Sequence, residues 1–212
     1  MSTLDEIAIA CGTDKSSLSH GYCERYCQFF EPIRQNVKKV LEIGIASGAS
    51  LKMWRDYFPN AVIHGVDHNQ AFVDAMTAQK EPRIESIFGD ASEVGFWVGF
   101  EHYWHTDFDL VIDDASHSVW ATYQAFKFGW RLLKPLGYWV IEDVHAGFDA
   151  AYRRDNAANG LPVTWSVPTL IADLSLGRLH EFGSNQSGQS DGTGDIESVT
   201  YFKSLIVIQK RL

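Results

Sequence analysis

The chain has 212 residues, 45% hydrophobic and 13% aromatic, enough apolar content for a sizeable core and far from the composition of a disordered chain. Its net charge of −9 argues against nucleic acid or an anionic membrane as the main partner, because both need a basic face. No apolar run approaches the roughly 20 residues of a membrane span, and the start, Met1 to Glu6, lacks the basic character of a secretory signal, so a soluble cytoplasmic protein is expected. Cys11, Cys23 and Cys27 are too few and too clustered for a disulfide framework, and Cys23 and Cys27 lack the third neighbouring thiolate of an iron–sulfur radical enzyme; they read as reduced thiols in helix packing.

In chain order, residues 3–11 read as a short helix, and 12–17 as a polar turn. A second helix carries Tyr22, Tyr26, Phe29 and Phe30 at core spacing and stops near Pro32. Thr13, Asp14, Lys15 and His20 crowd hydrogen-bonding groups into the segment between them. From residue 38 strands and helices alternate: strand 38–43, helix 49–57, strand 61–67, helix 70–79, strand 83–88, helix 91–104, strand 108–113, helix 118–132 and strand 137–142. Such alternation with apolar strands implies an α/β fold whose mainly parallel sheet has helices on both faces. Ligands of such sheets bind at the carboxyl ends of the strands.

The tail departs from the alternation. A short helix near 168–177 and a Gly/Ser-rich stretch from Gly183 to Gly194, either a lid over a site or an idle surface loop, precede strands Ile196–Tyr201 and Leu205–Gln209. The sheet is therefore expected to have seven strands and to end in an antiparallel hairpin. One domain is expected over 1–212, with a helical cap at 1–36 and the α/β core at 37–212.

The stretch that organises the chain is Val40 to Ser50. An apolar run ends in Glu42-Ile43-Gly44-Ile45-Ala46-Ser47-Gly48 and passes into a helix start. Gly44 and Gly48 supply backbone that takes positive φ and admits a ligand closely, while free N–H groups at the helix start favour a polar or anionic group. The spacing is wrong for the dinucleotide fingerprint Gly-x-Gly-x-x-Gly, which weakens a hydride-transfer reading. Asp67 closes the second strand, where a carboxylate can accept both ribose hydroxyls; Phe88-Gly89-Asp90-Ala91 closes the third and places Asp90 at an adenine edge. Each could instead cap the helix that follows.

A second group gathers at the ends of the fourth and fifth strands, in Asp113-Asp114-Ala115-Ser116-His117 and Glu142-Asp143-Val144-His145. Carboxylates so close repel unless a cation joins them, and Asp114, Glu142 and Asp143 are hard oxygen donors suited to Mg²⁺, Mn²⁺ or Ca²⁺. His117, three residues beyond Asp114, is placed to take a proton near neutral pH, with His145 as an auxiliary candidate. The competing reading makes Asp113 or Asp114 a helix cap and His117 part of a first turn.

The glycine motif resembles that of class I S-adenosylmethionine-dependent methyltransferases, which have a Rossmann-like fold. With Gly12-Thr13-Asp14-Lys15, His20-Gly21-Tyr22, Asp114-Ala115-Ser116-His117 and Ile141-Glu142-Asp143, the chain resembles the metal-dependent sugar O-methyltransferases of macrolide tailoring, the mycinamicin and demethylmacrocin type. The resemblance implies S-adenosyl-L-methionine at Thr13, Lys15, Glu42, Gly44, Ser47, Gly48, Asp67, Asp90, Ala91 and Asp113. It further implies Mg²⁺ or Mn²⁺ at Asp114, Glu142 and Asp143, and His117 as the base. The acceptor it implies is a hydroxyl of a sugar or glycosylated small molecule, in an enzyme that could be a homo-oligomer. Cephalosporin hydroxylase-type proteins are similar in the same regions. A catechol-type methyltransferase and a non-catalytic nucleotide-binding module are the alternatives. Tyr152, Arg153 and Trp165 are candidates to line the acceptor space.

Overall fold

The computed structural model describes residues 2–104, 107–146, 156–176 and 195–212. Seven strands form one sheet in the order β3-β2-β1-β4-β5-β7-β6. They are β1 (Lys39–Ile43), β2 (Val62–Asp67), β3 (Ile84–Phe88), β4 (Phe108–Asp113), β5 (Leu133–Glu142), β6 (Ile196–Tyr201) and β7 (Leu205–Lys210). β1 pairs with β2 and β2 with β3 in parallel, whereas β7 runs antiparallel to both β5 and β6, the expected terminal hairpin. The flanking helices are α1 (Leu4–Cys11), α2 (Cys23–Phe30), α3 (Ala49–Tyr57), α4 (Gln70–Ala78), α5 (Val94–Trp104), α6 (Val119–Gly129) and α7 (Val167–Ser175).

Two boundaries differ from the sequence expectation. β5 begins four residues early, because Lys134, Pro135 and Leu136 are partly or fully exposed and lack the continuous apolar signature of the buried end. The helix expected over 118–132 ends at Gly129 and tightens into a 3₁₀ turn, Trp130–Leu132.

The chain divides into two compact units, Met1–Asp90 with Phe108–Val111, and Ala91–Asp107 with Ile112–Leu212. In the first, β1 is apolar because Val40, Leu41 and Ile43 are all buried, as expected of a central strand covered on both faces. The aromatic stripe of α2 is core as predicted: Tyr26 stacks on Phe30 at 5.4 Å between ring centroids and meets Trp54 of α3 edge-on at 5.2 Å. Asp109 anchors the start of β1, its Oδ2 accepting the backbone N–H groups of Lys38 and Lys39 at 2.8 and 2.9 Å. The cysteines are free thiols; burial raises the pKa of Cys11 and Cys27.

In the second unit, Trp97, Phe126 and Trp139 form an aromatic core around Gly129, where a Cβ would collide with both indoles. Ser118 caps α6 by accepting the Ala121 N–H, and Ser166 with Thr169 forms a capping box at α7. Among the described residues no helix is long and apolar enough to cross a membrane.

Candidate active site

The first unit presents the glycine turn. Gly44, Ala46 and Gly48 all have positive φ, at 88°, 42° and 77°. Gly48 is required twice: it is the left-handed N-cap of α3, and an added Cβ would strike the sulfur of Met76. The turn is tied to β2 through Gly44 N–H to Val66 O at 2.8 Å. The Asp67 carboxylate completes the tie. Its Oδ2 accepts the N–H groups of Ile45 and Ala46 at 3.0 and 3.1 Å, and its Oδ1 accepts the N–H of Asn69 at 2.8 Å.

Beside the turn, Glu42 and Lys15 form an ion pair at 3.5 Å with side chains 0% and 1% exposed. Lys15 is delivered there by the α1–α2 segment. Its N–H contacts Thr13 Oγ1, its carbonyl accepts the Cys23 N–H, and Asp5 holds the loop by accepting the Ser17 N–H and hydroxyl. Thr13 is buried as well, whereas Ser47 and Asp90 are exposed. Lys15 and Glu42, both expected to touch a ligand, are buried and face each other. Nothing in the local sequence pairs the two residues, which lie 27 positions apart.

The second unit brings together the acidic and histidine group. Asp114, His117 and Asp143 each offer one ligand atom, all within 4.8 Å of one another, a set that could hold a cation. His117 Nε2 lies 3.8 Å from Asp143 Oδ2, and His145 Nδ1 lies 3.8 Å from Asp143 Oδ1. Both His117 and Asp143 are held at positive φ, 57° and 50°. Non-glycine residues in that region cost of order 1–3 kcal/mol each and concentrate at functional sites. The two carboxylates suit Mg²⁺ or Mn²⁺ with open coordination positions.

Glu142, expected as a third carboxylate ligand, stands outside that group. It is the last residue of β5, 2% exposed and registered opposite Leu205 of β7. β5 ends at Glu142, and Asp143 follows it outside the strand with a φ of 50°. His117, expected as the base, stands within the same group. Asp113 is 4% exposed, and its Oδ2 has no hydrogen-bond partner among the described residues. Burial raises its pKa to about 7, with the neighbouring Asp114 charge adding to the rise and a backbone hydrogen bond from Ala115 opposing it. Ala91 is buried, its carbonyl accepting the Trp97 indole N–H at 2.8 Å. Of the proposed acceptor lining, Trp165 accepts a hydrogen bond from the buried Asn156 amide through its carbonyl. Tyr152, Arg153 and the 183–194 stretch lie outside the described residues.

Residues 41–144, which run from β1 to the end of the acidic group, match the family model for a methyltransferase domain. The chain carries a methyltransferase domain. Among curated proteins the domain is 34% identical over 158 residues to the 8-demethyl-8-(2-methoxy-alpha-L-rhamnosyl)-tetracenomycin-C 3'-O-methyltransferase of Streptomyces olivaceus, covering 70% of this chain and 38% of that protein. It is 27% identical to the demethylmacrocin O-methyltransferase of Streptomyces fradiae, over 98% of this chain and 53% of the relative. The chain therefore spans about half or less of the length of these relatives. A solved structure of MycE from the mycinamycin biosynthetic pathway, in complex with Mg, SAH and mycinamycin VI, superposes with a TM-score of 0.76 at 23% identity, over 99% of this chain and 55% of that one. At that identity the match establishes the fold of the methyltransferase domain.

Proposed function

We propose that the chain is an S-adenosylmethionine-dependent O-methyltransferase, assisted by Mg²⁺ or Mn²⁺, acting on a hydroxyl of a sugar carried by a small molecule. The observation that carries this reading is the grouping of Asp114, His117 and Asp143 within 4.8 Å, inside a domain whose family transfers methyl groups. The sugar hydroxyl is supported by the relatives' names, which specify O-methylation of a rhamnosyl tetracenomycin and of demethylmacrocin.

When bound, the methyl donor supplies a methyl group already activated by its sulfonium, and the cation lowers the pKa of a coordinated hydroxyl. The chain supplies position and a proton acceptor. The turn at Gly44 to Gly48 would hold the methyl donor, Asp114 and Asp143 would hold the cation, and His117 would take the hydroxyl proton at Nε2. His117 suits the task because an imidazole nitrogen accepts a proton from a hydroxyl, and such base catalysis contributes about 10²- to 10⁴-fold.

The test is transfer of a labelled methyl group to a rhamnosylated aromatic acceptor, its aglycone and a simple catechol. Transfer to the glycoside alone supports the proposal. Transfer to the catechol alone redirects it to planar diols, and failure of the wild type to bind SAH in titration calorimetry removes it.

A further inference from the structure

His117 sits in the middle of a small ring closed by serine side chains. The Oγ of Ser116 accepts the backbone N–H of Ser118 at 3.3 Å, and its hydroxyl donates to Ser118 Oγ at 3.4 Å. Ser118 Oγ also accepts the Ala121 N–H at 3.2 Å, which fastens the ring to the first turn of α6. A serine oxygen bonded to the N–H two residues on stands in for the first carbonyl of a β-turn. The residue between them then falls at the third position of the turn, where a type II turn has positive φ. That residue is His117, and its φ is 57°. The ring thus supports a conformation that is uncommon for residues other than glycine. From this backbone the imidazole Nε2 comes to 3.8 Å from Asp143 Oδ2, within the group it forms with Asp114 and Asp143. Ser116 itself is exposed, so its side chain carries no part of the core.

We propose that Ser116 is a positioning residue for methyl transfer: by bridging to Ser118 across His117, it holds the left-handed backbone that aims the imidazole at the Asp114 and Asp143 carboxylates. The inference rests on the reading of His117 as the base. A base must lie within hydrogen-bond reach of the proton it takes, and misplacement by about 1 Å can cost about 100-fold in rate. Loss of the Ser116 oxygen opens the ring and frees His117 to return to negative φ, which swings its Cβ, and with it the imidazole, away from Asp143. The serine hydroxyl takes no part in the transfer itself. Its effect reaches the reaction only through His117.

Crystal structures and methyl-transfer kinetics of Ser116→Ala and Ser116→Thr, each in the full chain, test the proposal. In Ser116→Ala the φ of His117 should turn negative and kcat should fall by about tenfold or more, while the acceptor KM and the SAH affinity stay within about twofold of wild type. Ser116→Thr restores the acceptor oxygen and should keep the positive φ and at least about half of the wild-type kcat. In a His117→Ala background, Ser116→Ala should lower the residual rate by less than about twofold, because a residue that acts through His117 has nothing left to act on. A Ser116→Ala structure with His117 still in the left-handed region overturns the proposal. So does a Ser116→Ala variant with wild-type kcat, or one whose full loss persists in the His117→Ala background. Near-normal turnover by His117→Ala alone would instead defeat the base reading, leaving the hold of Ser116 on the His117 backbone to be judged by the φ comparison.

Discussion

Replacing Lys15 by methionine should destabilise the protein by about 3–5 kcal/mol, the range measured when one partner of a buried ion pair is removed. The structure gives the reason for choosing this pair: the side chains of Lys15 and Glu42 are 1% and 0% exposed and 3.5 Å apart. At an effective dielectric constant near 20 the attraction at that distance is about 5 kcal/mol, which offsets the penalty of taking both charges out of water. Methionine keeps the length and apolar stem of lysine, so the loss falls on the charge that faces the buried Glu42 carboxylate. Glu42→Leu removes the carboxylate that faces the buried Lys15 ammonium and should cost a similar amount. The double variant, Lys15→Met with Glu42→Leu, removes both desolvation penalties and should recover to within about 1–2 kcal/mol of wild type, giving a coupling energy of several kcal/mol. Urea unfolding followed by far-UV circular dichroism, with the slope unchanged among the four proteins, measures each term. Single variants that each lose less than about 1 kcal/mol would refute the reasoning, since that is the behaviour of a solvated pair.

Other outcomes follow from single residues. His64 is 5% exposed, and burial, with Lys39 adding a smaller push, lowers its pKa to about 4; the Glu85 carboxylate at 3.6 Å pulls the other way but is 55% exposed and screened by water. Because the unfolded chain takes this proton near 6.5 and the folded one only near 4, stability should fall as the pH drops through that window, by about 3 kcal/mol in total; His64→Leu should flatten that part of a urea-midpoint profile. Gly48→Ala combines a φ of 77° with a collision against Met76 and should cost about 1–3 kcal/mol, read as a lowered thermal midpoint. Asp114→Asn and Asp143→Asn should each weaken Mn²⁺ binding by about tenfold or more in paramagnetic resonance titrations; unchanged binding in both would remove the metal site. His117→Ala should lower the methyl-transfer rate constant by about 10²-fold or more while SAH still binds, and near-normal turnover would remove the base assignment.

The strands and the glycine turn were legible because they rest on local chemistry. Val40, Leu41 and Ile43 read as a buried run whatever surrounds them, and the left-handed backbone at Gly44 and Gly48 is what glycine at those positions suggested. The role of a polar side chain was less legible, since it depends on its partner. An aspartate at the end of β2 reads alike whether it serves a ribose or the turn's own N–H groups, and only the φ values of Gly44 and Ala46 aim those groups at Asp67. The Lys15–Glu42 pair had no local signal at all, being set by how the α1–α2 segment meets β1. Asp143 lies just past the end of β5, 3.8 Å from His117, with a φ of 50°, a conformation that costs energy in a non-glycine residue. The same cost is met at His117, with a φ of 57°. Two members of one three-residue group thus hold strained backbone, which a mere pair of helix caps would not require. That coincidence favours a functional role for Asp114, His117 and Asp143 over the capping role the sequence left open.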